Sequence, residues 1–171
     1  MDFFQVIQER HSLRQYSPDA IEEEKLQRIL ETANRAPSAG NLQGYEIYLV
    51  RSLEHRQALV KAAGEQAFVA EASVVLVFCA NPARSAIRYG GRGQQLYSVQ
   101  DATIACTYAM LAAAALELAT VWVGAFDEEL VRKAIGIPSD LVPVALLPVG
   151  YAGKEPRFTP RRELEDLVHE A

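Results

Sequence analysis

The sequence predicts an α+β fold in which helices cover a small sheet. Three observations carry that expectation. Two runs of strand length, "YEIYLV" (45–50) and "SVVLVFCA" (73–80), are rich in β-branched and aromatic residues. Amphipathic helical patterns surround them. Strands and helices alternate unevenly, with two helices before any strand, so a repeated βαβ unit is the wrong description.

Taken in order, residues 3–9 read as a first helix with Phe3, Val6 and Ile7 on one face. Ser17-Pro18 is a turn signal. The acids at 22–24 suit the positive end of a second helix, whose apolar stripe is Leu26, Ile29, Leu30 and Ala33, and Pro37 ends it. The strand at 45–50 is followed by a helix over 53–64, then by the strand at 73–80. "GGRGQQL" (90–96) reads as a loop opening a long apolar helix, 99–119. It has Gly91-x-Gly93 but no third glycine, and it trails the strand by about ten residues, so it does not fit a dinucleotide-binding turn. "VWVG" (121–124) is a short third strand, and the helix of "DEELVRKAIGI" follows with Asp127 as its cap. The fourth strand, 141–151, carries Pro143 and Pro148, which suits an edge or a bulge better than a central place. Residues 152–171 form a polar tail ending in a short helical pattern.

The chain has 171 residues, half of them apolar and 23% charged, which predicts one domain over 1–171 with a real core. Seventeen Lys and Arg against 22 Asp and Glu give a net charge of −5, which argues against a nucleic-acid binder. The stretch 102–119 is long and nearly uncharged but rich in alanine, which fits a buried or interfacial helix better than a membrane span. Cys79 and Cys106 sit in separate apolar runs and read as buried free thiols in a reducing compartment. No metal-ligand spacing is seen among the three histidines and two cysteines. "MDFFQVIQER" lacks the apolar core of a signal peptide, so a cytoplasmic location is expected.

Three segments carry candidate chemistry. "ERHSLR" (9–14) gathers Arg10, His11, Ser12 and Arg14 in an acidic chain. Two guanidinium forks and a hydroxyl suit a phosphate monoester, although cations also balance the end of a helix. "APSAGNLQGYEIYLV" (36–50) places Pro37, Ser38, Ala39, Gly40 and Asn41 in a small-residue loop, with Gln43 before the strand. Such a loop allows close approach to a flat ligand, or is simply a turn. "FTPRREL" (158–164) puts Arg161 and Arg162 near the C-terminus, where they either face solvent or close over the same anion.

Arg-x-Ser-x-Arg near residue 12, Pro-Ser-x-x-Asn-x-Gln before the first strand, "WVGAFDEELVRKAIGIP", "LLPVGY" and the basic tail resemble, in this order, the nitroreductase family of FMN flavoenzymes. The likeness runs along essentially the whole chain, and it is closest to short members that lack an insertion over the active site. It implies a three-layer fold: a central mixed, mainly antiparallel sheet flanked by helices, in an intertwined homodimer whose C-terminal strand crosses to the other copy. It implies two FMN sites at the interface, each built from both chains. Arg10, His11, Ser12 and Arg14 would grip the phosphate and ribityl chain, with Arg161 or Arg162 adding a cation. Pro37, Ser38, Ala39 and Asn41 of the other copy would lie against the isoalloxazine ring. Gly124 and Ala125 would face flavin N5, Gln66 the pyrimidine edge, and the long apolar helix would be dimer core.

The implied reaction passes hydride from NAD(P)H through flavin N5 to a small acceptor such as a nitroaromatic or quinone, with ping-pong kinetics and no catalytic side chain. Other flavin chemistry (enone reduction, dehalogenation, oxidation) and a non-catalytic flavin-binding protein are the alternatives. The sequence departs from the family at three points. His11 replaces a frequent arginine, which makes that part of the grip weaker or pH-sensitive. Gly44-Tyr45 stands where Pro-Trp is frequent, which predicts a looser entry to the first strand. The missing insertion leaves the substrate face to candidates such as Tyr89, Arg92 and Tyr97.

Overall fold

Four antiparallel strands hold the centre of the structure, a computed structural model that describes residues 1–156 and 159–171. They are β1 (Tyr45–Val50), β2 (Val74–Ala80), β3 (Ala119–Thr120) and β4 (Val142–Gly150), in the order β1-β2-β4-β3. The mixed character expected of the sheet is confined, among the described residues, to one parallel bridge between Ser12 and Thr120.

β2 is buried along its whole length, as its unbroken apolar run requires. Leu76 and Phe78 join Ala145, Leu147 and Val149 on one face, against α2 (Glu23–Ala33) and α6 (Ser98–Ala115). Val75, Val77, Cys79 and Leu146 point the other way, against α3 (Leu53–Ala62) and α7 (Glu128–Ile135). The result is three layers with a core on each side of the sheet. Ala102, Ala105, Cys106, Ala109 and Ala113 of α6 are fully buried, and their small side chains let the helix lie close to the strands.

Both cysteines are free and buried, and burial pushes the Cys79 thiol up to about 12. No helix among the described residues is long and apolar enough to cross a membrane.

Several elements differ from expectation. β4 is central, lying between β2 and β3. Its prolines act locally instead. The β2–β4 register slips between Phe78 and Cys79, and Cys79 pairs with Pro143 beyond the slip. Continuing the register from Thr120↔Val149 to Val123↔Leu146 sets Pro148 opposite Val121. Pro148 has no N–H to donate there, and its carbonyl accepts from the Tyr16 hydroxyl at 3.2 Å. The third strand is therefore β3 at 119–120 with a separate bridge at Val123, rather than a run over 121–124.

The loop expected at 90–96 is helical. α5 (Pro82–Arg92) leads through a π-turn at Gly93–Tyr97 directly into α6, with a kink at Gly90, whose φ of 52° glycine tolerates. α6 ends at Ala115, short of residue 119, and α3 stops at Ala62, short of residue 64. A short α4 (Phe68–Glu71) had no clear signal in the sequence. α1 (Phe3–Glu9) is capped by Asp2, and α7 by Asp127, whose carboxylate accepts from the Leu130 N–H at 2.9 Å.

Candidate functional site

The segment after α1 is stitched to β3 and to the chain just beyond β4. The Leu13 N–H donates to the Thr120 carbonyl at 3.0 Å, Ser17 donates to Tyr151 at 3.0 Å, and Gly153 donates to Gln15 at 2.9 Å. Leu13 and Tyr16 face inward and are buried, which turns Ser12 and Arg14 outward by the alternation of an extended chain. Arg10, His11, Ser12, Arg14, Lys154 and Arg161 all line one cavity of 490 Å³, together with Leu13, Glu155, Pro156 and Thr159. Four Lys and Arg side chains against one carboxylate make this cavity cationic in a chain of net charge −5.

Arg10 is half-buried, and its guanidinium is held below its usual range, first by burial and then by the positive charge of Arg161. Two cations that repel one another across a cavity fit a bound anion. The helix-end explanation holds for one residue of the segment. His11 Nδ1 lies 2.7 Å from the carbonyl of Glu9, which can only accept, so Nδ1 carries the proton and closes the end of α1. Of the two tail arginines, Arg161 lines the cavity, whereas Arg162 donates to the Asp166 carbonyl at 2.6 Å within its own turn. Phe158, which opens the basic tail segment, lies outside the described residues.

Pro37, Ser38 and Ala39 line a different cavity, also 490 Å³, against Gln100, Asp101, Thr103 and Ile104 of α6. Gly40 and Asn41 both take left-handed backbone, with φ of 56° and 57°, and Asn41 is exposed. The Gln43 side chain is spent inside the loop: its Nε2 donates to Asn41 Oδ1 at 2.7 Å and to Ser38 Oγ at 3.3 Å.

Asp101 organises this loop and was missed in the sequence. It is 2% exposed, and its carboxylate accepts from the Ala39 N–H at 2.9 Å and the Gly44 N–H at 3.1 Å. It is the one charged residue of α6, a signal that was legible. Gly44 is also tighter than expected. Its carbonyl accepts from Asn81 at 2.8 Å, and a Cβ there would lie 2.1 Å from Ser85 Oγ. The entry to β1 is pinned rather than loose.

Gln66 sits in the turn between α3 and α4, apart from both cavities, and its Nε2 donates to the Ala63 carbonyl at 2.7 Å. Gly124 and Ala125 are exposed just beyond the Val123–Leu146 bridge, and among the described residues neither N–H is taken by a protein acceptor. The single chain thus brings together Arg10, His11, Ser12, Arg14 and Arg161. It gathers Pro37, Ser38 and Ala39 separately.

A sequence profile described as the nitroreductase family matches residues 7–81 and 60–151. The chain is 33% identical over 186 residues to an NADH dehydrogenase from Thermus thermophilus, covering 93% of this chain and 91% of that one. It is 28% identical over 176 residues to an FMN reductase (NAD(P)H) from Bacillus subtilis, covering 95% of this chain and 70% of the other. Its fold superimposes on the NADPH:FMN oxidoreductase from Vibrio harveyi, solved in complex with NAD+, with a TM-score of 0.90 at 27% identity, over 98% of this chain and 76% of that one.

Proposed function

The chain belongs to the nitroreductase family, and from that premise we propose that it is an FMN-dependent oxidoreductase reducing a small acceptor, such as a nitroaromatic or quinone, at the expense of NAD(P)H. The observation that carries this reading is the cationic cavity formed by Arg10, Arg14, Lys154 and Arg161 with the Ser12 hydroxyl beside them. The similarity to flavin reductases supports FMN as the group it holds.

When bound, FMN supplies hydride transfer in two half-reactions, first from the nicotinamide and then to the acceptor. The residues of the chain bind and orient. Arg10, Arg14 and Arg161 supply charged donors for the phosphate dianion, and Ser12 a neutral donor that fixes its rotation. Glu155 at the rim limits the net positive charge of the cavity. The exposed amides of Gly124 and Ala125 would offer backbone donors that orient the ring at N5, the atom that accepts the hydride. No side-chain acid or base is required by this chemistry, so no catalytic side chain is assigned.

We place two copies of the chain in the working molecule. The phosphate-type cavity and the 37–41 loop line different cavities of one chain, so a site using both draws them from two copies. Phe3 and Phe4 of α1, 61% and 78% exposed, and Leu164 in the tail, 74% exposed, are apolar surface that an interface would cover. The two buried thiols suit a reducing compartment, in keeping with a cytoplasmic setting.

The test is an anaerobic titration of the protein, loaded with FMN, by NADH and by NADPH, followed through the flavin absorbance. Bleaching by either donor, with colour restored by an added quinone or nitroaromatic, is the expected result. A flavin that binds but stays oxidised with both donors would instead describe a flavin-binding protein. A chain that takes up no flavin would end the reading.

A further inference from the structure

Next to the 37–44 segment lies a group of side chains that includes Tyr89, Arg92 and Tyr97, the candidates for the substrate face, and to which no binding role has been assigned. α5 carries Arg84 and Arg88 four residues apart on one side of the helix, and Arg92 follows beyond the kink at Gly90. Arg84 Nε donates to the Leu42 carbonyl and ties α5 to the segment. Arg88 and Tyr89 lie over Gly40: a Cβ there would fall 3.0 Å from Arg88 Nη1 and 2.6 Å from Tyr89 Oη. The rings of Tyr89 and Tyr97 meet edge to face at 5.0 Å. Arg88 sits over the Tyr89 ring at 5.6 Å and Arg92 over the Tyr97 ring at 5.5 Å, with Arg92 Nε donating to Tyr97 Oη at 3.0 Å.

None of these three arginines meets a carboxylate within ion-pair distance among the described residues, although acids outnumber bases in the chain. Arg51 and Arg132, by contrast, are paired with Glu23 and with Glu128 and Glu129. A guanidinium laid on an aromatic face keeps donors free in its own plane, and the ring restrains it in advance of binding. Two such pairs, side by side, offer a charged fork and an aromatic surface at once.

We propose that Arg88, Arg92, Tyr89 and Tyr97 form a specificity ledge for a redox substrate that joins an aromatic or heteroaromatic body to an anionic group, phosphate or carboxylate. The proposal rests on the flavin reading in one respect, since that reading brings the isoalloxazine ring, and with it the substrate that meets the ring, to the 37–41 loop, where Arg88 and Tyr89 lie over Gly40. Two substrates carry this chemistry: a phosphorylated dinucleotide donor and an acidic aromatic acceptor.

Equilibrium dialysis of the purified protein with adenosine 2′,5′-bisphosphate and with 4-nitrobenzoate tells the two apart. At least one probe is expected to bind, and the double variant Arg88→Gln/Arg92→Gln to hold it about tenfold more weakly or less. The probe that responds identifies the source. Raising salt from about 20 mM to about 500 mM should weaken the same probe on the unaltered protein, a readout independent of how the variant folds. In turnover, the variant should lose discrimination by a similar factor, in KM rather than kcat. The ratio to follow is 4-nitrobenzoate over nitrobenzene for the acceptor, or NADPH over NADH for the donor.

The ledge is overturned if neither probe binds the unaltered protein, or if protein and variant bind both alike. Failure of the flavin reading shows separately, as a chain that takes up no FMN or whose flavin NAD(P)H does not bleach. The dialysis result then still decides the ledge. Normal flavin reduction with unaltered dialysis defeats the ledge alone.

Discussion

Arg14 and Arg10 occupy one cavity with unequal surroundings. Arg14 is exposed, whereas Arg10 is half-buried and lies close enough to Arg161 for its charge to be felt. Arg14→Ala removes one charge-assisted contact to a phosphate, worth about 1.5–3 kcal/mol, and FMN retention should fall by about tenfold or more. Arg10→Ala should cost a contact of the same kind, and the repulsion with Arg161, present with and without the phosphate, does not offset that loss. Fluorescence titration of released FMN measures both. Unchanged affinity in both variants would remove the phosphate role from the segment.

The Arg-His-Ser-Leu-Arg cluster was legible because charge type and order survive in a one-dimensional reading. What was not legible is how each side chain is spent. His11 turns back onto the Glu9 carbonyl, Gln43 closes its own loop, and Arg162 serves its own turn, because short polar contacts a few residues away compete with any ligand.

At the scale of elements, α6 does more than cover the sheet. Its burial was read from its alanines and near lack of charge, and five small residues do lie against the strands. Asp101, one turn into the helix, reaches across to two backbone N–H groups and fixes the loop between α2 and β1. Asp101→Asn keeps the size but replaces one acceptor by a donor facing a buried N–H. The cost should be about 2 kcal/mol, or a fall of about 4–8 °C in Tm for a chain of this length. Calorimetry of Asp101→Asn and Asp101→Glu checks it, and a change of under about half a kcal/mol in both would mean the loop is held otherwise.

Strand existence was legible in the sequence, since β1 spans the 45–50 run without shift and β2 starts one residue late. Strand order was not. Pro143 and Pro148 argued for an edge, yet a central strand accommodates them because the lost donors fall at a register slip and opposite Val121, where pairing with β3 lapses. The helical run across 90–97 was hidden by its glycines, which weaken helix propensity without forbidding it when packing continues the chain direction.

At the scale of the whole molecule, one chain is apolar in places where it has nothing to cover. Phe3 and Phe4 stand exposed in the first turn of α1, where Val6 alone is buried. Leu164, Leu167 and Val168 are all at least half exposed in the tail that follows Arg161. Exposed groups of this kind cost roughly 25 cal/mol per Å² of apolar surface left in water, and a second copy is the occupant that would cover both patches by symmetry. The tail also brings Arg161 to the cation cavity, so in the proposed dimer assembly and flavin retention would be linked through one segment. Sedimentation of the unaltered protein should give near twice the 18.9 kDa of one chain. Leu164→Asp/Leu167→Asp should move the mass toward one chain and release FMN in parallel, because binding energy held by a site shared between copies is lost when they part. Dilution of the unaltered protein should release flavin along the same curve as it lowers the mass. A single chain that keeps its flavin at every concentration would show that one copy suffices, and would return the 37–41 loop to the role of a turn.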